Sequence, residues 1–331
     1  MDIYSTDPKE YRQAGPEDLV RLEPLDGCVA PIIERQKLDL LVRGVVKGGC
    51  IHVSGETGTA KTLTIRTLLL NPANFRAICA ALEYPERPLH VYSCPVSRFD
   101  GPAELTFRRA IKDGCTCDED SLLIEALKAE DGHAEEQYAA ILLPELGRTH
   151  SEMIQSALVE LINDSVLLDS ERRLLRVPHV AWLADSNYSA NQGGANYTLV
   201  SFDDALRRRF STSIEMSHPT TEQECAILHT LVPEVTEEDV AAIVRLGSEI
   251  RSARREGGLS SVPPPTLYGY AEFLRARLDL PHVPVDVTAF ATILGHCSNE
   301  DRAAAADLLS RTHGVAAVSE DEAEGGDVIG L

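Results

Sequence analysis

Residues 50–70 read CIHVSGETGTAKTLTIRTLLL, from Cys50 to Leu70. A short apolar run, Cys50 to Ser54, enters a glycine-bearing loop, and a run suited to a helix, Lys61 to Leu70, leaves it. Strand, loop and helix in that order are the context a phosphate-binding loop requires. Backbone N–H groups of such a loop and of the following helix N-terminus point at the β- and γ-phosphates of a nucleotide. Lys61 adds a positive charge there, and the Thr62 hydroxyl can ligate Mg²⁺. The candidate residues for holding ATP are therefore Gly55, Glu56, Thr57, Gly58, Thr59, Ala60, Lys61 and Thr62, with Thr62 on the metal side. The plain alternative is a Gly/Thr turn with an accidental lysine. The usual second glycine is here Ala60, whose methyl is tolerable if the residue has ordinary helical dihedrals.

Outward from this loop, strand-like and helix-like periods alternate, which points to an α/β layer architecture. Strands are expected at Leu89–Cys94, Tyr138–Leu143, His179–Ala184 and Phe210–Ile214. Thr149 and Glu152 have capping-box spacing ahead of a helix whose apolar face runs from Met153 to Ile162. Val166–Val177 reads as a hairpin with a polar turn at Asp169-Ser170-Glu171. After His218-Pro219 helices take over: Thr221–Leu231, Glu237–Arg254, Tyr268–Leu278 and Asn299–Arg311, broken by Pro263-Pro264-Pro265. The stretch from Phe99 to Glu136 is charged and receives no assignment. Trp182, the single tryptophan, lies in an apolar strand and is expected in the core.

The composition narrows the classes. The chain has 331 residues, 44% hydrophobic and 25% charged, which suits a folded globular protein. Thirty-one Lys+Arg against 52 Asp+Glu give a net charge of −21. Such a surface repels phosphate backbones and anionic lipid, so neither nucleic acid nor membrane is an expected partner. No apolar run approaches the roughly 20 residues of a bilayer span, and no secretory signal is read at the start. The eight scattered cysteines are expected as reduced thiols in a cytoplasm.

The third strand should supply the acids on the metal side. It ends Leu143-Pro144-Glu145, so Glu145 takes the place of the base that orients the attacking water. Pro144 stands where a metal-side aspartate is usual, which leaves the metal to Thr62, phosphates and water, or to an acid from elsewhere. For Glu145 the alternative is a solvated carboxylate at a strand end.

These segments resemble the MoxR branch of the AAA+ ATPases, on the loop GETGTAKT, the strand ILLPELGR and the helix SEMIQSALVELI. In that branch alanine often precedes the loop lysine, and Glu145 and Arg148 match its second signature where Pro144 does not. Asn187, in Asp185-Ser186-Asn187-Tyr188, matches the sensor-one asparagine, and Arg209, before Phe210, matches the arginine finger. The insertion Ser189–Tyr197 and the segment His296–Gly314 are similar to the CbbQ/NirQ/NorQ and CobS subgroup. Pro265 replaces the sensor-two arginine, for which Arg275 or Arg277 could substitute, a choice that spacing does not make.

The resemblance implies an αβα P-loop AAA+ domain with a parallel sheet over residues 28–216 and an all-helical lid over 217–314. An N-terminal extension (1–27) and an acidic disordered tail (315–331) flank them. It further implies an ATP- and Mg²⁺-dependent ATPase with Glu145, Asn187 and Arg209 as catalytic residues, assembled with itself in a ring, usually a hexamer. Such relatives act as chaperone-like remodellers of a client protein or metalloenzyme, with a von Willebrand factor A-domain partner. The hairpin 166–177 would line the pore with Glu171, Arg172 and Arg173, or be a charged solvated turn. Arg207–Arg209 could equally be a basic surface patch and Asn187 a strand-end turn former. The competing readings are a nucleotide-binding structural subunit with little or no hydrolysis, suggested by Pro144 and Pro265, and a P-loop kinase of small molecules.

Overall fold

The computed structural model describes residues 2–146, 152–164, 166–169, 174–177, 179–187, 203–259, 261–262, 266–295 and 297–313. Arg148, Thr149, Glu171, Arg172, Arg173, Pro265, the insertion 189–197 and the acidic tail lie outside these residues. The chain divides into two units, Asp2–His218 and the part from Pro219 onward.

The first unit begins with β1 (Ile3–Ser5), α1 (Pro8–Gln13), β2 (Leu19–Arg21), β3 (Ile32–Glu34) and α2 (Arg35–Val46). Then come β4 (Cys50–Gly55), α3 (Lys61–Leu70), α4 (Pro72–Ala81) and β5 (Leu89–Ser93). Two 3-10 turns, Val96–Arg98 and Pro102–Leu105, lead to the hairpin β6 (Phe107–Lys112) and β7 (Cys115–Asp120), and then to α5 (Leu122–Glu130). β8 (Tyr138–Leu143) and α6 (Glu152–Asp164) precede a second hairpin, β9 (Val166–Leu168) and β10 (Leu174–Arg176). β11 (Val180–Ser186), α7 (Asp204–Arg209) and β12 (Thr212–Met216) complete the unit.

Five of these strands form one parallel sheet in the order β12-β4-β11-β8-β5. Parallel strands are covered on both faces and read as apolar runs, and every residue of β8 and of β11 is buried. Side chains alternate between the two faces. Ile51 and Val53 of β4, Ala140 and Leu142 of β8 and Ala181 and Leu183 of β11 share one core with Leu41 of α2, Leu68 of α3 and Ile78 of α4. Ala139, Ile141 and Leu143 of β8 and Trp182 and Ala184 of β11 share the other with Leu123 of α5, Leu158 of α6 and Leu206 of α7. Three layers follow: helices, sheet, helices. Each fully buried Leu, Ile or Phe contributes about 1.5–3 kcal/mol to holding them together. Trp182 is a core residue, 3% exposed.

The strand order has one consequence for the site. β11 lies between β4, which enters the glycine loop, and β8, which ends at Glu145. The C-terminal ends of these three strands share one edge of the sheet, because all three are parallel.

Several boundaries differ from the sequence reading. Phe210 caps α7 and is buried beneath it, so the last strand starts at Thr212 and not at Phe210. The N-terminal residues pack into the first unit: Tyr11, Val20 and Leu22 are in its core, and the Tyr11 hydroxyl donates to Asp39 at 2.7 Å. Asp169 is not a solvated turn residue. Its side chain is fully buried, 3.0 Å from the Lys128 ammonium. The unassigned stretch holds β6, β7 and α5, and its turn is Asp113-Gly114, both left-handed at φ 51° and 77°. Asp-Gly is a strong hairpin signal, but β6 and β7 pair with each other alone and bury few residues, so no period-two pattern announces them.

The second unit is helical: α8 (Thr221–Leu231), α9 (Glu237–Arg255), α10 (Leu267–Asp279), α11 (Val285–Thr292) and α12 (Asn299–His313). Thr220 and Gln223 form a reciprocal capping box at α8, and Thr236 and Thr266 cap α9 and α10. Tyr270 and Phe273 of α10 meet Val240, Ile243 and Leu246 of α9 in the core. Gly247 makes room for this packing, since a Cβ there would lie 1.7 Å from the Tyr270 hydroxyl.

Candidate functional site

The loop after β4 is built on a close approach. A Cβ at Gly55 would lie 2.1 Å from the Met216 carbonyl oxygen of β12, so only glycine fits. Beyond it the Thr59 hydroxyl donates to the Glu56 carbonyl at 2.9 Å and closes the loop. Ala60, the residue before α3, has φ 60° and ψ 20°, which is left-handed. Ordinary helical dihedrals at Ala60 are therefore not what the fold imposes: the chain must reverse its curvature between the loop and the helix. An L-residue held in that region costs about 1–2 kcal/mol.

Lys61 opens α3 and is 4% exposed. Its Nζ donates to the Glu56 carbonyl at 2.6 Å and to the Thr59 hydroxyl at 3.3 Å. Among the described residues it makes no ion pair within 4.0 Å. Burial pushes the ammonium down to about 8, with the charges of Asp185 and Glu56 acting against that shift. The Glu56 carboxylate itself lies 3.2 Å from Nε2 of His218.

The neighbouring residue, Thr62, does not face an empty metal side. Its hydroxyl donates to the carboxylate of Asp185, on β11. Asp185 is 2% exposed, and its other oxygen accepts the backbone N–H of Glu145 at 2.9 Å. The alternation of β11 explains why it arrives there. Ala181 and Leu183 face the core shared with α2, α3 and α4, and Asp185 is the next residue of that set. Sequence reasoning did not assign Asp185 to the site. The available signal was a lone acid in the otherwise apolar run of β11, beside a third strand that carries proline where an acid was expected.

The expected catalytic residues take these places. Glu145 follows β8, is half-buried, and has a left-handed backbone at φ 52°. Asn187 is half-buried and directly follows Ser186, which pairs in register with Ser54 of β4. Glu145 and Asn187 therefore stand at the same sheet edge as the loop. Arg209 is exposed in the last turn of α7, together with Arg207 and Arg208. His52 of β4 shares a 2.8 Å hydrogen bond with the Ser186 hydroxyl, and burial, aided by the Arg207 charge and opposed by Asp185, lowers it to about 4. In the second unit both alternative arginines are engaged locally. Arg275 donates to the Leu231 carbonyl at 3.0 Å, and Arg277 to the Val283 carbonyl.

The donors present fit a magnesium–polyphosphate ligand. Thr62 and Asp185 offer hard oxygen donors, suited to a cation that keeps several waters. Lys61 offers a buried positive charge, and the loop and helix start offer amides. Among the described residues no group of three or more His, Cys, Asp or Glu side chains is arranged to hold a metal without such a ligand. Cys115 is exposed and Cys117 half-buried, both as free thiols.

No protein-family model and no curated protein matches this sequence. Among solved structures the chain is similar to a mutant of RuvB from Thermotoga maritima, at 11% identity and a TM-score of 0.45. That likeness covers 85% of this chain and 71% of the RuvB chain. Among the described residues no helix is long and apolar enough to cross a membrane.

Proposed function

We propose that this chain is an ATP-binding P-loop ATPase of the AAA+ class, with the MoxR branch as the reading its motifs favour. The observation that carries the proposal is Lys61: a buried ammonium with no ion pair among the described residues, held by a carbonyl and a hydroxyl at a glycine loop. A buried cation is costly unless it is paired. A polyphosphate entering over the loop would supply that partner.

In this reading the loop amides and Lys61 bind and orient the β- and γ-phosphates. Bound magnesium would neutralise charge that develops on the phosphate oxygens. Glu145 orients water for in-line attack, Asn187 assists from the end of β11, and exposed Arg209 is presented to the nucleotide of a neighbouring subunit in a ring. The exposure of Arg209 supports a role outside its own subunit. A chaperone-like action on a client or metalloenzyme in the cytoplasm, with a von Willebrand factor A-domain partner, extends this proposal by resemblance alone.

Calorimetric titration with ATP and magnesium tests the binding: the wild-type chain binds, and Lys61→Ala does not. Phosphate release from the assembled protein tests turnover, which Glu145→Gln should abolish. Pro144 favours a second reading, a nucleotide-binding subunit with little hydrolysis. ATP binding without phosphate release at any concentration would establish it.

A further inference from the structure

Resting on the nucleotide reading above, we propose that Asp185 is the metal-side carboxylate of this site, supplied from β11 in place of an acid at position 144. The register makes the replacement specific. Ala184 pairs with Leu143, so one residue further along each chain Asp185 comes beside Pro144. Leu142 and Leu183 both belong to the core shared with α2, α3 and α4, so positions 144 and 185 continue the same face of the sheet. β11 is the strand adjacent to β4, so an acid here stands one strand nearer to the loop than any side chain on β8.

The hydrogen bonding suits the role. A threonine hydroxyl has one proton and two lone pairs. Because Thr62 gives its proton to Asp185, its oxygen lone pairs are left to face a cation. An ionised carboxylate accepts at about four lone-pair positions. Thr62 and the Glu145 amide occupy two of those on Asp185, which leaves others for magnesium or its water. The same carboxylate steadies Glu145 at its left-handed turn, so the metal side and the water-orienting side share one residue.

The test compares ATP affinity with magnesium against affinity in EDTA. Wild type should gain affinity from magnesium. Asp185→Asn, which keeps the size of the side chain but removes its charge, should bind ATP in EDTA at least as well as wild type and lose about 10- to 100-fold of the magnesium gain. Pro144→Asp combined with Asp185→Asn should restore that gain. Full magnesium gain in folded Asp185→Asn overturns the proposal. A wild-type chain that binds no ATP in either buffer overturns the nucleotide reading instead. A variant-free readout guards against a folding defect. With Mn²⁺ and ADP bound to protein carrying ¹³C-carboxyl aspartate, electron–nuclear double resonance should show an aspartate carbon coupled to the metal, and its absence overturns the proposal.

Discussion

The ammonium of Lys61 lies 2.6 Å from the carbonyl oxygen of Glu56, so the cation of the glycine loop is spent on the loop's own backbone. A neutral partner only partly offsets the burial of a charge. Replacing Lys61 by the apolar, similarly long Met should therefore stabilise the unliganded chain by about 1–3 kcal/mol while removing ATP binding. Thermal denaturation alongside calorimetry checks both signs. A variant less stable than wild type would show that the ammonium is a structural tie.

Ala60 is held left-handed at φ 60°. Ala60→Gly relieves about 1–2 kcal/mol of backbone strain and adds back part of it as unfolded-chain entropy. The expected result is a net gain of up to about 1 kcal/mol in denaturant unfolding, with nucleotide affinity retained. Loss of stability would mean that the methyl makes contacts worth more than the strain.

His52 carries a pH prediction. Its folded pKa, about 4, lies below the ordinary 6.5, so between these values the unfolded chain binds the extra proton. Stability contributed by neutral His52 is fully present above about 6.5 and is lost as pH falls towards 4, by up to about 3 kcal/mol. His52→Gln, which cannot take up a proton, should flatten the unfolding free energy across that window. An unchanged slope would reassign the acid sensitivity to carboxylates.

In the second unit Arg251 holds Glu224 through two contacts of 2.9 and 3.0 Å, with Glu224 1% exposed. Burial raises the Glu224 pKa and Arg251 pulls it back. Removing only the cation leaves a buried carboxylate unpaired, so Arg251→Met should cost about 3–5 kcal/mol. Adding Glu224→Gln should recover most of that loss. An Arg251→Met protein that melts like wild type would contradict the pairing.

Much of the architecture was readable along the chain. The run from Cys50 to Leu70 yielded β4 and the bounds of α3, because a buried parallel strand and the helix after a glycine loop each carry their own local period. The same holds for β8 and α8, whose apolar runs and caps lie within single segments. The place of Lys61 and Thr62 at the start of α3 was legible for that reason: loop and helix sit next to each other in sequence.

Asp185 was not legible. Its place beside Thr62 depends on β11 pairing with β4 on one side and β8 on the other, and residues 62 and 185 meet only through that register. The burial of Asp169 against Lys128 and the left-handed turn at Ala60 belong to the same kind. Local periods along a chain report which face a residue turns to the core. Long-range strand pairing sets what waits for it there, and here it brought a carboxylate to the hydroxyl of the glycine loop from a strand more than a hundred residues away.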